Sequence, residues 1–276
     1  MTYKDQEDIS DVKAMVEVYQ EIAATRMQVV KLAILGARQY YESLALLVRE
    51  VRPWLRTQAQ KKKTAEKPTK TALFFSANTG LYGDIIEKVG RDFLKYVAEE
   101  ESEAAVIGLV GKRMMESVHT SYPITYISCD DAHPSKEDIL SIITYAQQFD
   151  HVEVFYGRFV NLISQIPYRN ILSGEEAVSE AVGKDWKKTS FYYLFEPNTN
   201  EITSVVEKEI FASVIEQILH ESNFSKFASR MIHLDQALQN IDERLFGMKL
   251  EQRRLMRRQE NKKQLSRLSG RMLWHT

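Results

Sequence analysis

Two long stretches without proline, one near each end of the sequence, constrain the fold more than any other feature. From Ile9 to Arg52 the single glycine is Gly36, and from Val206 to Leu273 the glycines are Gly247 and Gly270. Helices of this length exceed those of ordinary globular domains, and a long helix needs a partner that covers its apolar face. The two stretches therefore predict a pair of long helices packed antiparallel on each other.

Apolar or small side chains recur in both stretches at spacings of three and four residues, the pattern of a helix that packs on another helix. In the first stretch the predicted contact face consists of Met15, Tyr19, Ile22, Val29, Ala33, Gly36 and Tyr40. In the last stretch it consists of Phe224, Ala228, Met231, Leu234, Leu238, Ile241, Leu245 and Met248. Pro53 is the predicted end of the first helix.

The middle of the sequence alternates short β-prone runs with helix-like runs, which predicts a parallel or mixed sheet covered by helices. The β-prone runs are TALFFS, AAVIGLV, ITYIS, HVEVFYGRFV and FYYLF. Ser135 precedes an acidic turn and is a predicted helix N-cap. The predicted organisation is a coiled-coil helix over residues 1–56, a basic linker over 57–70, an inserted Rossmann-like α/β domain over 71–206 and a second coiled-coil helix over 207–276.

Positive charge is concentrated at the C-terminal end of the sequence. Ten of the 37 Lys and Arg residues, but only two of the 38 Asp and Glu residues, lie after Glu243, so this stretch carries a net charge of +8. The apolar spacing fails at Gln252, where the arginines take over. We therefore expect the last helix to continue beyond its partner helix and to present a basic end to an acidic surface or a polyanion.

The sequence contains no recognisable catalytic or metal-binding constellation. Its six histidines are scattered, and its one cysteine, Cys129, permits no intramolecular disulfide. The segment SANTGLYGD follows a predicted strand, where α/β domains bind ligands, but the spacing of Gly80 and Gly83 fits no phosphate-binding fingerprint. Asp130 and Asp131 lie in a polar stretch, and we interpret them as solvated surface. The apolar runs are much shorter than the ~20 residues of a membrane span.

Three motifs carry a resemblance to a known family. The segment SANTGLYG is similar to a Ser-Asp-x-Gly-Leu-Cys-Gly turn, with matches at Ser76, Gly80, Leu81 and Gly83. The segment YLFEP is similar to a Phe-Glu-Pro turn, with matches at Glu196 and Pro197. The segment SRMIHLDQALQN is similar to an Arg-Met-x-x-Met-x-x-Ala-x-x-Asn pattern, with matches at Arg230, Met231, Ala237 and Asn240. In this order along the chain, the motifs resemble those of the γ subunit of F-type ATP synthases, as in a divergent member of that family.

The resemblance implies a central-stalk rotor without catalytic residues, which couples rotation of a membrane ring to ATP synthesis or hydrolysis. Implied partners are the α and β ATPase subunits, the ε subunit and the membrane rotor ring, with ATP and Mg on the α and β subunits and no cofactor on this chain. It also implies a peripheral location on the cytoplasmic face of the cell membrane, reached through partners, and no nucleic acid. The expected partner contacts are Arg253, Arg254, Arg257, Arg258, Gln259, Lys262, Lys263, Leu265 and Leu268.

Two alternatives remain open on the residues alone. The basic helix is also compatible with an arm that binds nucleic acid, which a steep salt dependence of DNA binding would reveal. The middle domain is also compatible with an α/β enzyme whose helices form an oligomerisation scaffold, which saturable nucleotide binding would reveal.

Overall fold

The computed structural model describes residues 3–55, 70–100, 102–116, 123–131, 134–173 and 199–272. In chain order the elements are α1 (Tyr3–Leu55), β1 (Lys70–Phe75), α2 (Ile85–Glu100), β2 (Glu103–Ile107), α3 (Leu109–Glu116), β3 (Ile124–Ile127), α4 (Lys136–Ala146), β4 (His151–Phe159), β5 (Gln165–Ser173) and α5 (Thr199–Met272). The chain divides into two compact units, one of residues 1–22 with 232–276 and the other of residues 23–231.

The bounds of the two long helices differ from the sequence-based ones. Helix α1 ends at Leu55, two residues past Pro53. Pro53 therefore lies in the last turn of the helix, which does not extend far beyond a residue that cannot donate to the hydrogen-bond ladder. Helix α5 begins at Thr199, ahead of the predicted start at residue 207. The predicted strand FYYLF and nearly all of the predicted linker lie outside the described residues.

The larger unit contains a five-stranded sheet of order β3-β2-β1-β4-β5. Strands β1 to β4 are parallel, so that Phe74 of β1 lies beside Val106 of β2 and Phe155 of β4. This confirms the predicted α/β class. Strand β5, which the sequence reading missed, is antiparallel to β4 and lies at one edge of the sheet that the described strands form. An edge position tolerates Pro167, because the missing N–H of a proline costs no ladder bond there.

Alternate residues of β1 face two different apolar cores. Phe74 packs in a cluster with Val89 and Phe93 of α2. Leu73 belongs to a second cluster, which includes Ile142 of α4 and Ile215 of α5. The sheet is therefore covered on both faces, as expected for a mainly parallel sheet.

The N-terminus of α4 confirms the predicted cap. The Ser135 hydroxyl accepts a hydrogen bond from the backbone N–H of Asp138, and the Asp138 carboxylate accepts one from the backbone N–H of Ser135. This capping box satisfies two amides that the first turn of a helix leaves unpaired.

In the smaller unit, α1 and α5 pack antiparallel, as predicted. The Lys13 ammonium donates to the Asp242 carboxylate at 2.6 Å, and the Gln20 amide donates to Asp235 at 3.4 Å. Residue numbers rise along one helix as they fall along the other. The larger unit repeats this relation: the Tyr40 hydroxyl donates to Glu209 at 2.5 Å, and the Arg26 guanidinium lies over the Phe227 ring.

The contact face predicted for α5 is confirmed, whereas that predicted for α1 is wrong. Every predicted α5 position is buried or half-buried, but most predicted α1 positions are exposed, Met15 by 60%. The buried face of α1 consists of buried or half-buried residues that recur at alternating spacings of four and three. They are Ile9, Lys13, Val16, Gln20, Ala23, Met27, Val30, Ile34, Ala37, Tyr41 and Leu44. This face includes Lys13 and Gln20, which contact acidic residues of α5. A prediction based only on apolar spacing leaves such polar residues out and therefore chose the adjacent face of the helix.

Candidate functional site

The first candidate site is the turn between β1 and α2, residues 76–83, which carries the first family motif. Gly83 has a φ of +62°, in the left-handed region that favours glycine. Leu81 has a φ of +67°, although it is a leucine and its side chain is 59% exposed. The turn therefore holds a backbone conformation that a leucine adopts only at a cost, and other contacts must stabilise it.

Three side chains of α5 donate hydrogen bonds to backbone carbonyls of this turn. The Lys226 ammonium donates to Ser76 O at 2.8 Å, the Ser229 hydroxyl to Tyr82 O at 2.8 Å, and the Arg230 guanidinium to Gly80 O at 2.5 Å. Residues spaced i, i+3 and i+4 lie on one face of a helix. These three donors, here called the α5 triad, thus join the first and third family motifs in space.

Lys226 also forms a buried ion pair with Asp131. The two side chains are 2.9 Å apart, and the residues are 2% and 8% exposed. The Asp131 carboxylate also accepts the backbone N–H of Asn78 at 2.5 Å. The interpretation of Asp131 as solvated surface is therefore wrong, although Asp130 is exposed as expected. A single sequence gives no signal for this pair, because its members lie far apart along the chain.

Arg230 and Tyr82 complete the contact between the turn and α5. The Arg230 guanidinium donates to the Thr79 hydroxyl at 2.9 Å and lies 3.9 Å from the centroid of the Tyr82 ring, in cation–π geometry. Burial, followed by the charge of Asp131, raises the pKa of the Tyr82 phenol above its ordinary value of 10.0. Tyr82 therefore remains a neutral packing residue at physiological pH.

Side chains of the protein itself contact the turn at the position where α/β proteins bind ligands. Ligands of α/β proteins bind outside the carboxyl ends of parallel strands, often with an anionic group on backbone N–H groups. Here the Asp131 carboxylate occupies such an N–H position, and the Lys226 ammonium lies against it. This arrangement gives the turn a structural partner within the chain where an α/β enzyme would hold a phosphate.

The nearby thiol of Cys129 is not set up as a nucleophile. The residue is buried, and burial raises the pKa of its thiol from 9.0 to about 12. A thiol is reactive as the thiolate, so Cys129 is inert near neutral pH. Among residues that the structure describes, no three His, Cys, Asp or Glu side chains come together as metal ligands.

The remaining motif residues are distributed as follows. Ser76 is buried, whereas Gly80 and Leu81 are exposed. Met231 is half-buried at the end of the larger unit, and Ala237 and Asn240 belong to the smaller unit, half-buried and exposed respectively. Glu196 and Pro197 lie outside the described residues.

The second candidate site is the basic segment of α5, defined here as residues 253–267. Met248, the last residue of the contact face, is buried, and Gln252 is half-buried, whereas every side chain of the basic segment is exposed. The predicted contacts found exposed there are Arg253, Arg254, Arg257, Arg258, Gln259, Lys262, Lys263 and Leu265. The side chain of Leu268 lies outside the described residues.

Comparison with protein families gives one family model, described as ATP synthase, that matches residues 6–264. An ATP synthase gamma chain of Malacoplasma penetrans is 25% identical over 198 residues, which cover 69% of this chain and 68% of that one. A gamma chain of Neisseria meningitidis is 24% identical over 191 residues, covering 64% and 65%. A gamma chain of Hyphomonas neptunium is 21% identical over 277 residues, covering 95% and 94%.

Comparison with solved structures supports the same fold. The central stalk of the Tetrahymena thermophila mitochondrial ATP synthase, solved with its c-ring, is 17% identical with a TM-score of 0.60, covering 81% of this chain and 99% of that one. A chain of the Euglena gracilis mitochondrial ATP synthase is 13% identical with a TM-score of 0.51, covering 95% and 94%. The likeness extends over the α/β sheet and the long terminal helices.

Proposed function

This chain belongs to the ATP synthase family as a gamma, or central-stalk, subunit, and we propose that it turns as the rotor of an F-type ATP synthase or ion-translocating ATPase. In this role it couples rotation of a membrane ring to ATP synthesis or hydrolysis on the β subunits. The observation that carries the proposal is the extent of the family match, residues 6–264, which includes most of both long helices together with the α/β domain.

The basic segment supplies the contact with the stationary subunits. It carries seven Lys or Arg residues against the single acidic residue Glu260, and all of them are exposed. Exposed ion pairs contribute roughly 0–1 kcal/mol each, so contacts with acidic loops of successive β subunits can be exchanged as the rotor turns. The segment also exposes the apolar side chains of Leu255, Met256 and Leu265. These would pack against the α and β subunits that surround the segment.

The paired helices carry the twisting load. In the smaller unit, α5 is joined to α1 by polar cross-links such as Lys13 with Asp242, which lies next to the contact-face residue Ile241. Interlocked side chains on such a face resist slippage of one helix past the other. The ε subunit and the membrane ring are the proposed partners of the α/β domain.

The proposal gives the chain no chemistry of its own. ATP and Mg bind to the α and β subunits, and this chain contributes neither a catalytic residue nor a cofactor site. The described helices have no apolar stretch long enough to cross a membrane. From the likeness to gamma chains, we propose that the chain lies at the cytoplasmic face of the cell membrane, held there by its partners. The two alternatives, an arm that binds nucleic acid and an enzyme with a helical scaffold, gain no support from the family match.

Affinity purification of the tagged full chain from native membranes tests the proposal. We expect ATPase α and β subunits to be recovered together, each in excess over the tagged chain, with nucleotide bound to them. A matched preparation carries glutamine at Arg253, Arg254, Arg257 and Arg258 and should retain less of both subunits. Recovery of the chain with nucleic acid or alone, at physiological salt, would contradict the proposal.

A further inference from the structure

Helix α5 contacts the turn of residues 76–83 through hydrogen bonds, which depend on direction, and not only through apolar packing. The α5 triad, Lys226, Ser229 and Arg230, directs three donors at three carbonyls of one turn. We propose that this triad, fixed by the Lys226–Asp131 ion pair, locks the rotation and the register of α5 against the α/β domain. In a rotor this lock transmits twist between the helix and the domain, a role that rests on the proposed function.

Apolar contacts alone would allow α5 to shift. Apolar burial is non-directional, so a smooth apolar face can slide along a sheet at little cost. Hydrogen bonds weaken steeply when their angle falls below ~120°, and a shift by one residue turns a helical side chain by about 100°. Such a shift would break all three bonds of the α5 triad together and withdraw Lys226 from Asp131 inside the protein.

The surrounding face of α5 is unusually polar for a buried helix. Ser222, Asn223 and Ser225 are buried, and in the described structure their side chains have no hydrogen-bond partner. Burying polar groups without partners is unfavourable. These three side chains add no directional contact in the described structure, so on this face the α5 triad supplies the contacts that depend on the angle and register of the helix.

The ion pair with Asp131 is the part of the lock that a substitution can isolate. Among the described residues, Ser229 and Arg230 donate hydrogen bonds to the turn alone, whereas Lys226 also joins the turn to the segment after β3. Asn78 of the turn donates its own N–H to the same carboxylate. Removal of the pair therefore loosens α5, the turn and the end of β3 from one another.

The test compares the double variant Lys226→Met/Asp131→Asn with the wild-type full chain. The double variant leaves no isolated buried charge, so it keeps the fold that either single variant endangers. The control is Lys70→Met, which removes a Lys–carboxylate contact with Glu100 of similar length, 3.0 Å, that lies exposed on the same domain. Hydrogen exchange on the isolated chain reports the local opening of α5 and of the turn.

We expect backbone amides of the turn and of α5 near Lys226 to exchange about tenfold faster in the double variant, because protection reports local opening. In the assembled complex, ATP hydrolysis should continue while ion transport per ATP falls. Unchanged exchange and unchanged transport per ATP would overturn the lock. Failure of the wild-type chain to assemble with ATPase subunits contradicts the proposed function instead, and the exchange measurement still decides the lock.

Discussion

The Lys226 ammonium lies 2.9 Å from the Asp131 carboxylate although 95 residues separate them in the sequence. Both side chains are nearly inaccessible to solvent. A buried pair of this kind adds little net stability over an apolar pair, but loss of one partner strands a charge inside the protein. The pair therefore fixes the rotation and register of α5 against the α/β domain more than it adds to the free energy of unfolding.

The first prediction concerns the stability of the isolated chain. Lys226→Met strands Asp131, so we expect the free energy of unfolding to fall by roughly 3–5 kcal/mol. Adding Asp131→Asn should restore part of this loss. Lys70→Met, made in the wild-type chain, should change the free energy of unfolding by about 1 kcal/mol or less. Urea unfolding followed by circular dichroism measures all three. A double variant no more stable than Lys226→Met would show that charge burial is not the cause.

The second prediction concerns two glycines near the turn. Gly108 has a φ of +104°, and a Cβ there would lie 2.8 Å from the backbone N of Ala77. Gly108→Ala should therefore cost about 1–3 kcal/mol in the free energy of unfolding. Gly80, although part of the family motif, has no atom within 4 Å of such a Cβ, so Gly80→Ala should change it by about 0.5 kcal/mol or less. Equal losses in both variants would contradict this account of the backbone.

The third prediction concerns pH. Because the pKa of the folded Cys129 thiol is about 12 against an ordinary 9.0, folding favours the protonated thiol. Its contribution to stability is complete below pH 9 and is lost as the pH rises toward 12. Urea unfolding between these values should show falling stability, with a smaller slope in Cys129→Ala. At pH 8.5, iodoacetamide should alkylate the thiol only after unfolding, and rapid labelling of the folded chain would be inconsistent with a buried neutral thiol.

The fourth prediction concerns the basic segment. Substituting glutamine for Arg253, Arg254, Arg257 and Arg258 should weaken association with an α and β subunit complex by about tenfold or more at low salt, since four weak attractions are removed. The difference should shrink at high salt because of screening. The four side chains are exposed, so the stability of the chain should not change. Arg91→Gln, an exposed arginine on α2, is the matched control and should leave association unchanged.

The sequence could predict the elements whose pattern is local. Ser135 and Asp138 lie three residues apart, so their capping box is visible in the sequence. The contact face of α5 was also predictable, because its members are nearly all apolar. The buried face of α1 was not predictable, because it includes the polar residues Lys13 and Gln20. Their partners, Asp242 and Asp235, lie on the other long helix.

The candidate site shows the same division. The family motif singled out Arg230 and the glycine turn, but nothing local marked Lys226 or Asp131 as partners. An aspartate in a polar stretch is ordinarily solvated, and only the arrival of a cation from α5 makes its burial tolerable. Strand β5 was missed for a related reason, because Pro167 and the polar residues of this strand are acceptable only at the edge of the sheet.

Direct observation of rotation tests the central claim most directly. Ile163, in the loop between β4 and β5, is 87% exposed, and Cys129 is buried, so Ile163→Cys offers one accessible thiol among the described residues for a rotation probe. The labelled chain would be assembled with α and β subunits fixed to a surface through β. We predict that the probe turns in one direction when ATP is added and stops when ATP is removed. A complex that hydrolyses ATP while the probe stays fixed would contradict the assignment of this chain as the rotor.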